Sequence, residues 1–374
     1  MNTGKLKRNE QEKPDKRKIL SALICARLLF QKASSKSRLF LFSIFAGLIC
    51  AGCRGSQSAL DAGGIQSERL ENLWWIFFYI CATVYLIVMA ILLTALFRTK
   101  KADAQTAAEI APNPEREKRI SNSVKVAVAV SLIALFALMI TSFRTGRAIN
   151  TLAQSPDALS IKIKGHQWWW EVEYEDPTPS NNVTTANEIH IPVGRPIKLE
   201  LESNDVIHSF WLPNLHGKKD LVPNYPTTFY FQADKAGTYS GQCAEYCGYQ
   251  HAKMRFIVVA EAPEDFDKWI NAQRQSSAVP ATDLQKRGQE IFLTSVCTQC
   301  HTIQGTIAGG KVGPNLTHIA SQQYIAAGSL QNTREHLENW VTDPQKIKPG
   351  IRMPMNNYSK EDLEALIEYL ENLK

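Results

Sequence analysis

The stretch that decides the fold lies late in the chain and reads Cys243-Ala244-Glu245-Tyr246-Cys247-Gly248-Tyr249-Gln250-His251-Ala252-Lys253-Met254. Its two cysteines are followed by an imidazole and a thioether. Soft sulfur ligands select copper, zinc or iron–sulfur clusters, and Cys, His and Met together are typical of electron-transfer copper. One copper of that kind needs only one thiolate, so the second cysteine indicates two coppers bridged by both thiolates. The alternative is a disulfide between Cys243 and Cys247.

The other ligands of such a pair are available nearby and upstream. His208 and His251 can be terminal ligands, Met254 can bind one copper, and a backbone carbonyl can bind the other. A sulfur-bridged pair shares one electron between its metals, so its geometry changes little on reduction and electron transfer is fast.

The net charge of +6 over 374 residues is concentrated at the N-terminus. Residues 1–38 carry 11 of the 42 Lys and Arg and 3 of the 36 Asp and Glu, which leaves 31 basic and 33 acidic residues elsewhere. The basic balance therefore gives no reason to expect a nucleic-acid partner. Of the eight cysteines, four lie in two short cofactor-type motifs, and the rest lie in leader or apolar stretches, so no disulfide framework is expected.

Residues 1–52 are interpreted as a basic leader and signal sequence. An apolar run of about thirteen residues after Arg38 ends in small residues, which is typical of secretory signals. Cys53 follows Ala-Gly as in a lipoprotein signal and is the candidate for lipidation. The alternative is a further transmembrane helix, which the short run disfavours. Residues 53–72 are predicted to be a linker.

Two transmembrane helices are predicted at residues 73–97 and 123–143, joined by a loop at 98–122. Trp74 and Trp75 lie at the start of the first helix, at the depth of the membrane interface. Neither helix has a charged residue at its centre. The loop is rich in Lys and Arg, which indicates that it stays in the cytoplasm and that everything after Phe143 lies outside. The signal sequence predicts the same orientation.

Residues 155–262 alternate apolar and other residues with a period of two, punctuated by Gly and Pro, which predicts an all-β domain. A copper loop late in such a domain, with one His far upstream, favours a cupredoxin-like Greek-key fold. Trp168, Trp169 and Trp170 cannot all be core residues, because neighbours on a strand point to opposite faces. No metal role is assigned to His166, His190 or His216.

Residues 263–280 are predicted to be a linker with a short helix, and residues 281–374 a haem domain. Cys297-Thr298-Gln299-Cys300-His301 matches the c-type haem attachment signature, in which both Cys bind the haem covalently and His is an axial ligand. A zinc site or a redox dithiol is the alternative. The stretch 348–355 resembles the distal-ligand loop of class I cytochromes c, which implies Met353 as the other axial ligand, with Met355 as its competitor.

The segment from Gly241 to Met254 resembles subunit II of haem-copper cytochrome c oxidase, where this loop holds the dinuclear copper centre CuA. The resemblance implies a ligand role for His208, Cys243, Glu245 (through its carbonyl), Cys247, His251 and Met254. It also implies that electrons enter near Trp168, and that Leu215 to Pro223 faces the catalytic subunit. That last stretch could instead be a solvated loop.

Together these features resemble the caa3 type, in which subunit II is fused to a cytochrome c domain. The fold class is a multidomain membrane protein: a two-helix hairpin, an all-β cupredoxin-like domain and an all-α class I cytochrome c domain. The resemblance implies dinuclear copper and haem c as cofactors. The implied partners are oxidase subunit I and other oxidase subunits, the membrane, and cytochrome c or another upstream electron donor. Electrons would pass to subunit I for reduction of oxygen to water, coupled to proton pumping.

The implied location is a bacterial inner membrane, with the copper and haem domains on the extracytoplasmic side. Two other functions fit part of the sequence. A quinol oxidase subunit II would keep the fold without the copper, and the copper-type ligands count against it. A membrane-tethered electron carrier for another reductase would not purify with a multi-helix haem subunit.

Overall fold

The structure is a computed structural model that describes residue 55, residues 57–98 and 113–151, residue 155 and residues 157–374. The signal sequence, the lipidation candidate Cys53 and most of the loop at 98–122 lie outside the described residues.

Two long helices precede the folded domains: α1 at Ile65–Arg98 and α2 at Pro114–Thr151. Both are long and apolar enough to cross a membrane. At 1.5 Å per residue, 34 and 38 residues extend about 51 and 57 Å, well beyond a hydrocarbon core of about 30 Å. The helices therefore continue past the predicted spans, with polar turns that include Glu68 on α1 and Glu115 on α2.

The segment before α1 packs against the β-domain. Gly63 N donates to the Asn214 carbonyl at 2.8 Å, and Asp234 N donates to the Gly63 carbonyl at 2.9 Å. A Cβ on Gly64 would lie 2.0 Å from the Gln232 carbonyl oxygen, so the two chains approach too closely for a side chain there. Residues 57–64 are thus attached to the β-domain through residues that lie some 150 or more positions later in the chain.

The β-domain is a sandwich of two five-stranded sheets. The strands are β1 Leu159–His166, β2 Trp169–Tyr174, β3 Val183–Ala186, β4 Glu188–Pro192, β5 Ile197–Ser203, β6 His208–Trp211, β7 Lys218–Leu221, β8 Thr227–Phe231, β9 Gly237–Cys243 and β10 Arg255–Glu261. The strand orders are β3-β2-β1-β5-β8 and β4-β10-β9-β6-β7. Pairs β1–β5 and β4–β10 are parallel, and the other pairs are antiparallel.

The predicted alternation places the core between the sheets. On β2, Trp170, Val172 and Tyr174 are buried, while the residues between them are only half-buried. Ile161 and Ile163 are likewise buried on β1, and the residue between them is half-buried. Burial of each such side chain stabilises the fold by roughly 1.5–3 kcal/mol, which explains why the period-two pattern predicts strands here.

Helix α3 at Pro263–Gln273 packs on the β-domain. Phe266 and Ile270 are buried in the core of the sandwich, and the Trp269 ring stacks on His190 at 4.2 Å. Arg274 Nη2 pairs with Asp176 at 2.8 Å. The first part of the predicted linker therefore belongs structurally to the β-domain, because its amphipathic face covers apolar surface there.

The C-terminal domain is mainly helical. Its helices are α4 Asp283–Thr294, α5 Cys297–Cys300, α6 Arg334–Thr342, α7 Pro344–Ile347 and α8 Lys360–Asn372, with a small hairpin of β11 Tyr324–Ile325 and β12 Leu330–Gln331.

Helices α4 and α8 form the frame of this domain. Thr282 and Gln285 form a capping box at the start of α4, and Ser359 caps α8 by accepting from Asp362 N at 3.1 Å. A Cβ on Gly288 would lie 2.0 Å from the Ala365 carbonyl oxygen, so the glycine permits the close crossing of the two helices.

Candidate metal and haem sites

The copper loop connects β9 to β10. Cys243 is the last residue of β9, and Met254 directly precedes β10. Cys243 N donates to the Met254 carbonyl at 2.9 Å, which closes the loop, and Ala244 N donates to the Ser209 carbonyl at 3.0 Å. Because β6 pairs with β9, His208 at the start of β6 lies beside the loop despite its distance in the sequence.

The predicted ligands converge. Cys243 Sγ and Cys247 Sγ are 3.8 Å apart, far longer than a disulfide bond of about 2.05 Å. His208 Nδ1 lies 3.9 Å from Cys243 Sγ, and His251 Nδ1 lies 3.6 Å from Cys247 Sγ. Met254 Sδ lies 3.8 Å from Cys247 Sγ. Each sulfur therefore has its own histidine neighbour.

Glu245 presents its backbone to this group. Its carbonyl oxygen lies 3.2 Å from Cys243 Sγ, while its carboxylate accepts from Tyr246 N at 3.1 Å. The inward-facing oxygen of Glu245 is thus the carbonyl, the group that the family resemblance implies as a ligand.

The donor set fits a pair of soft metal ions. Two sulfurs that each bind one metal at about 2.3 Å can be up to about 4.6 Å apart, so a separation of 3.8 Å allows both to bind the same ion. His208, Cys243, Cys247 and Met254 are buried, and the first three form a potential metal-binding group. Two thiols, two imidazoles, a thioether and a carbonyl match the softness that copper prefers.

The hydrogen bond between the two thiols shifts their pKa values in opposite directions. The pKa of Cys243 is lowered to about 3, chiefly because its hydrogen bond with Cys247 favours the Cys243 thiolate. The same bond raises the pKa of Cys247. Metal binding removes the proton from both thiols, because metal-bound thiols are deprotonated.

Asp205 orients His208, and the sequence analysis did not identify it. His208 Nε2 donates to Asp205 Oδ1 at 2.8 Å, and Gln167 N donates to the other carboxylate oxygen at 2.7 Å. This contact directs His208 Nδ1 toward Cys243, and a carboxylate behind a ligating imidazole is a common outer-shell arrangement. Burial disfavours charge on His208, yet the bonds to Asp205 and Cys243 outweigh it and raise its pKa. A carboxylate three residues before a candidate ligand was the available signal.

Trp168 is attached directly to the copper loop. Its indole Nε1 donates to the Cys247 carbonyl at 2.9 Å, and Gln167 Nε2 donates to the same oxygen at 2.7 Å. Gly248 has a φ of +113°, and a Cβ there would lie 3.0 Å from the Trp168 ring. Glycine is required at this position for both reasons.

The haem attachment motif is arranged to bind iron through one imidazole nitrogen. His301 Nδ1 donates to the Pro314 carbonyl at 2.7 Å, which leaves Nε2 as the available ligand atom. Burial lowers the pKa of His301, so the ring is neutral, as a metal ligand must be. A Cβ on Gly313 would lie 2.7 Å from this ring, so the glycine leaves room for it.

Cys297, Cys300, His301 and Met353 line one cavity. Its walls are largely apolar, with Leu316, Ile319, Ile325, Leu337, Trp340 and Val341 among them. Met355 is 64% exposed and is not among the lining residues, so the geometry favours Met353 over its competitor. Two free thiols, a neutral imidazole and a thioether around an apolar cavity fit a covalently attached haem.

The Met353 loop is shaped by Gln345. The Gln345 amide donates to the carbonyls of Met353 at 2.7 Å and Ile351 at 3.0 Å, and its oxygen accepts from Gly350 N at 2.8 Å. Gly350 has a φ of +88°, in the region that favours glycine.

The other singled-out residues lie elsewhere. Lys218 and Asp220 are exposed on β7. His190 bonds to the carboxylates of Glu188 at 3.0 Å and Glu261 at 2.8 Å. His216 is half-buried, and burial lowers its pKa to about 4.

Comparisons with known proteins cover both domains. The family model described as cytochrome C oxidase subunit II, periplasmic domain, matches residues 159–261, and a cytochrome c model matches residues 285–374. Cytochrome c oxidase subunit 2 of Alkalihalophilus pseudofirmus is 33% identical over 347 residues, which cover 90% of this chain and 96% of that protein. The protein of the same name from Bacillus sp. (strain PS3) is 30% identical over 69% of this chain and 76% of its own length.

Solved structures also resemble part of this chain. The periplasmic domain of subunit II of cytochrome oxidase from Bradyrhizobium japonicum is 30% identical, and the match covers 32% of this chain and 97% of that one, with a TM-score of 0.30.

Proposed function

The chain belongs to the cytochrome c oxidase subunit II family, and it is subunit II of a haem-copper oxidase that carries a cytochrome c domain at its C-terminus. From this premise we propose the route of its electrons. They enter from cytochrome c at a c-type haem in the C-terminal domain and pass to a dinuclear copper centre in the β-domain. They then leave for subunit I, where oxygen is reduced to water with coupled proton pumping.

The observation that carries this proposal is the position of Trp168. Its side chain lines the haem cavity and also donates to the Cys247 carbonyl at 2.9 Å. Trp168 thus lines the proposed haem site and also bonds to a proposed copper ligand. This position supports the proposal that electrons reach the β-domain at Trp168.

The proposed ligands follow the geometry described above. The copper pair is held by His208, Cys243, Glu245 through its carbonyl, Cys247, His251 and Met254. The haem is attached to Cys297 and Cys300, and its axial ligands are His301 and Met353. Once bound, the copper pair supplies a one-electron carrier in which both metals share the charge. A thioether ligand raises the haem potential, which suits a site late in a respiratory chain.

The chain's own residues prepare the copper site. Burial of Cys243, Cys247 and Met254 excludes water from the sulfur ligands. Asp205 holds His208 in the tautomer that presents Nδ1, and the loop hydrogen bonds hold Cys243 and Met254 side by side. A site preformed in this way needs little rearrangement when the electron arrives.

Fusion of the two domains supports fast transfer. Because the haem domain and the β-domain are on one chain, the donor is present at a high effective concentration, and transfer does not await a collision.

We also propose the partners and location that the family implies. The two long helices anchor the chain in a bacterial inner membrane, with the positive loop at 98–122 in the cytoplasm and both folded domains outside. Subunit I faces the copper loop and the stretch from Leu215 to Pro223. The domain boundaries, the cleaved leader and lipidation at Cys53 remain predictions.

The two alternatives are weaker. A quinol oxidase subunit II keeps the fold without the copper, so it does not explain six converging copper-type ligands or a haem attachment motif. A stand-alone carrier would retain both sites, so only the purified complex separates it from the proposal.

Rapid mixing of the purified, membrane-extracted complex with a reductant tests the route. We expect c-type haem absorbance to change first, the near-infrared copper band to follow, and oxygen uptake to begin after both. A large multi-helix haem subunit should purify with the chain. Reduction of copper ahead of the haem, or purification without that subunit, would contradict the proposal.

A further inference from the structure

The haem cavity is built by both domains. In addition to the haem motif and Met353, its lining includes Gln167, Trp168 and Trp169 of the β-domain. The separation and orientation of haem and copper therefore depend on how the C-terminal domain is seated over Trp168. A residue that fixes the position of the C-terminal domain relative to Trp168 therefore controls electron transfer from haem to copper. This inference rests on the proposed function.

Several contacts between the domains join the copper loop and the start of β10 to the Met353 loop and the hairpin region of the haem domain. Gln250 Nε2 donates to the Pro349 carbonyl at 2.7 Å, and Arg255 N donates to the Ala327 carbonyl at 3.1 Å. Lys253 Nζ donates to the Ile347 carbonyl from an exposed position. These bonds bring the segment before Met353 against the copper loop, but none of them reaches Trp168.

Lys348 does reach Trp168. Its Nζ donates to the Trp168 carbonyl at 2.9 Å and to the Ala326 carbonyl at 3.3 Å. Lys348 therefore ties the Met353 loop and the hairpin region of the haem domain to the backbone of Trp168, which lines the haem cavity and bonds to the copper loop. The Trp168 indole continues this connection to the Cys247 carbonyl.

The burial of this ammonium group is unusual. Lys348 is only 2% exposed, and no carboxylate lies within ion-pairing distance of it in the part of the chain that the structure describes. Burial, with the nearby charge of Lys253, lowers the pKa of Lys348 to about 7. Burying a cation without a counter-ion costs stability, so the residue is poorly explained as a source of folding energy.

We propose that Lys348 is a positioning residue that sets the register of the haem domain on the β-domain. Its hydrogen bonds to Trp168 and Ala326 seat the haem cavity over Trp168 and thereby fix the geometry for electron transfer to copper. Buried polar groups that cost stability can select one docking arrangement over others, because alternative arrangements leave their donors unpaired.

The test is the rate of haem-to-copper electron transfer in the purified holo-complex with Lys348→Met. Methionine keeps an unbranched side chain but removes the donor. We expect transfer to slow by at least about tenfold, since misplacing reacting groups by about 1 Å can cost up to ~100-fold in rate. The haem absorbance, the haem potential and the copper signal should stay as in the unmutated complex. Lys346→Met is the matched control, because Lys346 is exposed on the same segment and pairs only with its neighbour Asp343; it should leave the rate unchanged.

The outcomes are separable. An unchanged transfer rate in Lys348→Met overturns this inference but not the proposed function. A slower rate that is fully explained by a shifted haem potential also overturns it, because Lys348 would then act on the haem itself. Absence of transfer in the unmutated complex overturns the proposed function and the inference together. If Lys348→Met does not accumulate, Lys348→Gln is held to the same criteria, because its shorter side chain cannot reach both carbonyls.

Discussion

Replacement of Cys247 by Ser is expected to remove the copper pair and to stop electron flow into subunit I. Cys247 Sγ lies 3.6 Å from His251 Nδ1, 3.8 Å from Met254 Sδ and 3.8 Å from Cys243 Sγ. A hydroxyl is hard and remains protonated where the thiol would ionise, so it cannot bridge two soft ions. Each metal position then keeps only the Cys243 thiolate as an anionic ligand.

We expect oxidase turnover to fall by more than ~100-fold in Cys247→Ser, since even changes behind a metal ligand cost 10- to 100-fold. Copper content and oxygen uptake of the purified complex measure this. The haem absorbance should be preserved, because the haem ligands are unaffected. Cys81→Ser is the control, an exposed cysteine on α1 that should retain full activity. Turnover near that of the unmutated complex in Cys247→Ser would contradict the assigned ligand role.

The second large effect is expected from Met353→Leu. Leucine nearly conserves the volume and apolar character of the side chain, so the loop held by Gln345 should persist while the thioether is lost. Loss of this axial ligand should convert the haem from low to high spin. It should lower the haem potential by on the order of a few hundred millivolts, within the ~0.8 V that axial ligands span. Reduction of the haem by its donor then becomes unfavourable, and turnover falls.

Met355→Leu is the matched control, because Met355 is exposed and lies outside the cavity lining. Optical spectra and a redox titration of each variant separate the two methionines. The assignment fails if Met355→Leu shifts the potential and Met353→Leu does not.

Much of the fold follows from local pattern. The period-two alternation of Ile161/Ile163 and of Trp170/Val172/Tyr174 predicts strands because one face of each must be buried. The C-terminal stripe containing Leu366, Ile367 and Leu370 predicts a helix packed on its neighbour, and α8 crosses α4 in that way. The copper loop was visible because Cys243 to Met254 span only twelve residues, and the haem motif because Cys297 to His301 match a fixed signature.

Other features were not predictable from local pattern. The contact between Lys348 and Trp168 joins residues 180 positions apart, and a lone lysine before Pro-Gly carries no mark of burial. Asp205 gains its role only when β6 pairs with β9 and brings His208 to the loop. Helix α3 was expected in a linker, because its amphipathic face does not indicate which surface it covers. In each case tertiary packing supplies the partner.

The central claim is that one chain holds a c-type haem together with a pair of coppers that share an electron. The most direct test is the EPR and near-infrared spectrum of the oxidised full-length protein, with copper counted per haem c. We predict the multi-line hyperfine pattern of an unpaired electron spread over two copper nuclei, a near-infrared band and a low-spin haem c signal. A single-copper pattern, or haem with oxidised Cys243 and Cys247 and no copper, would contradict the account.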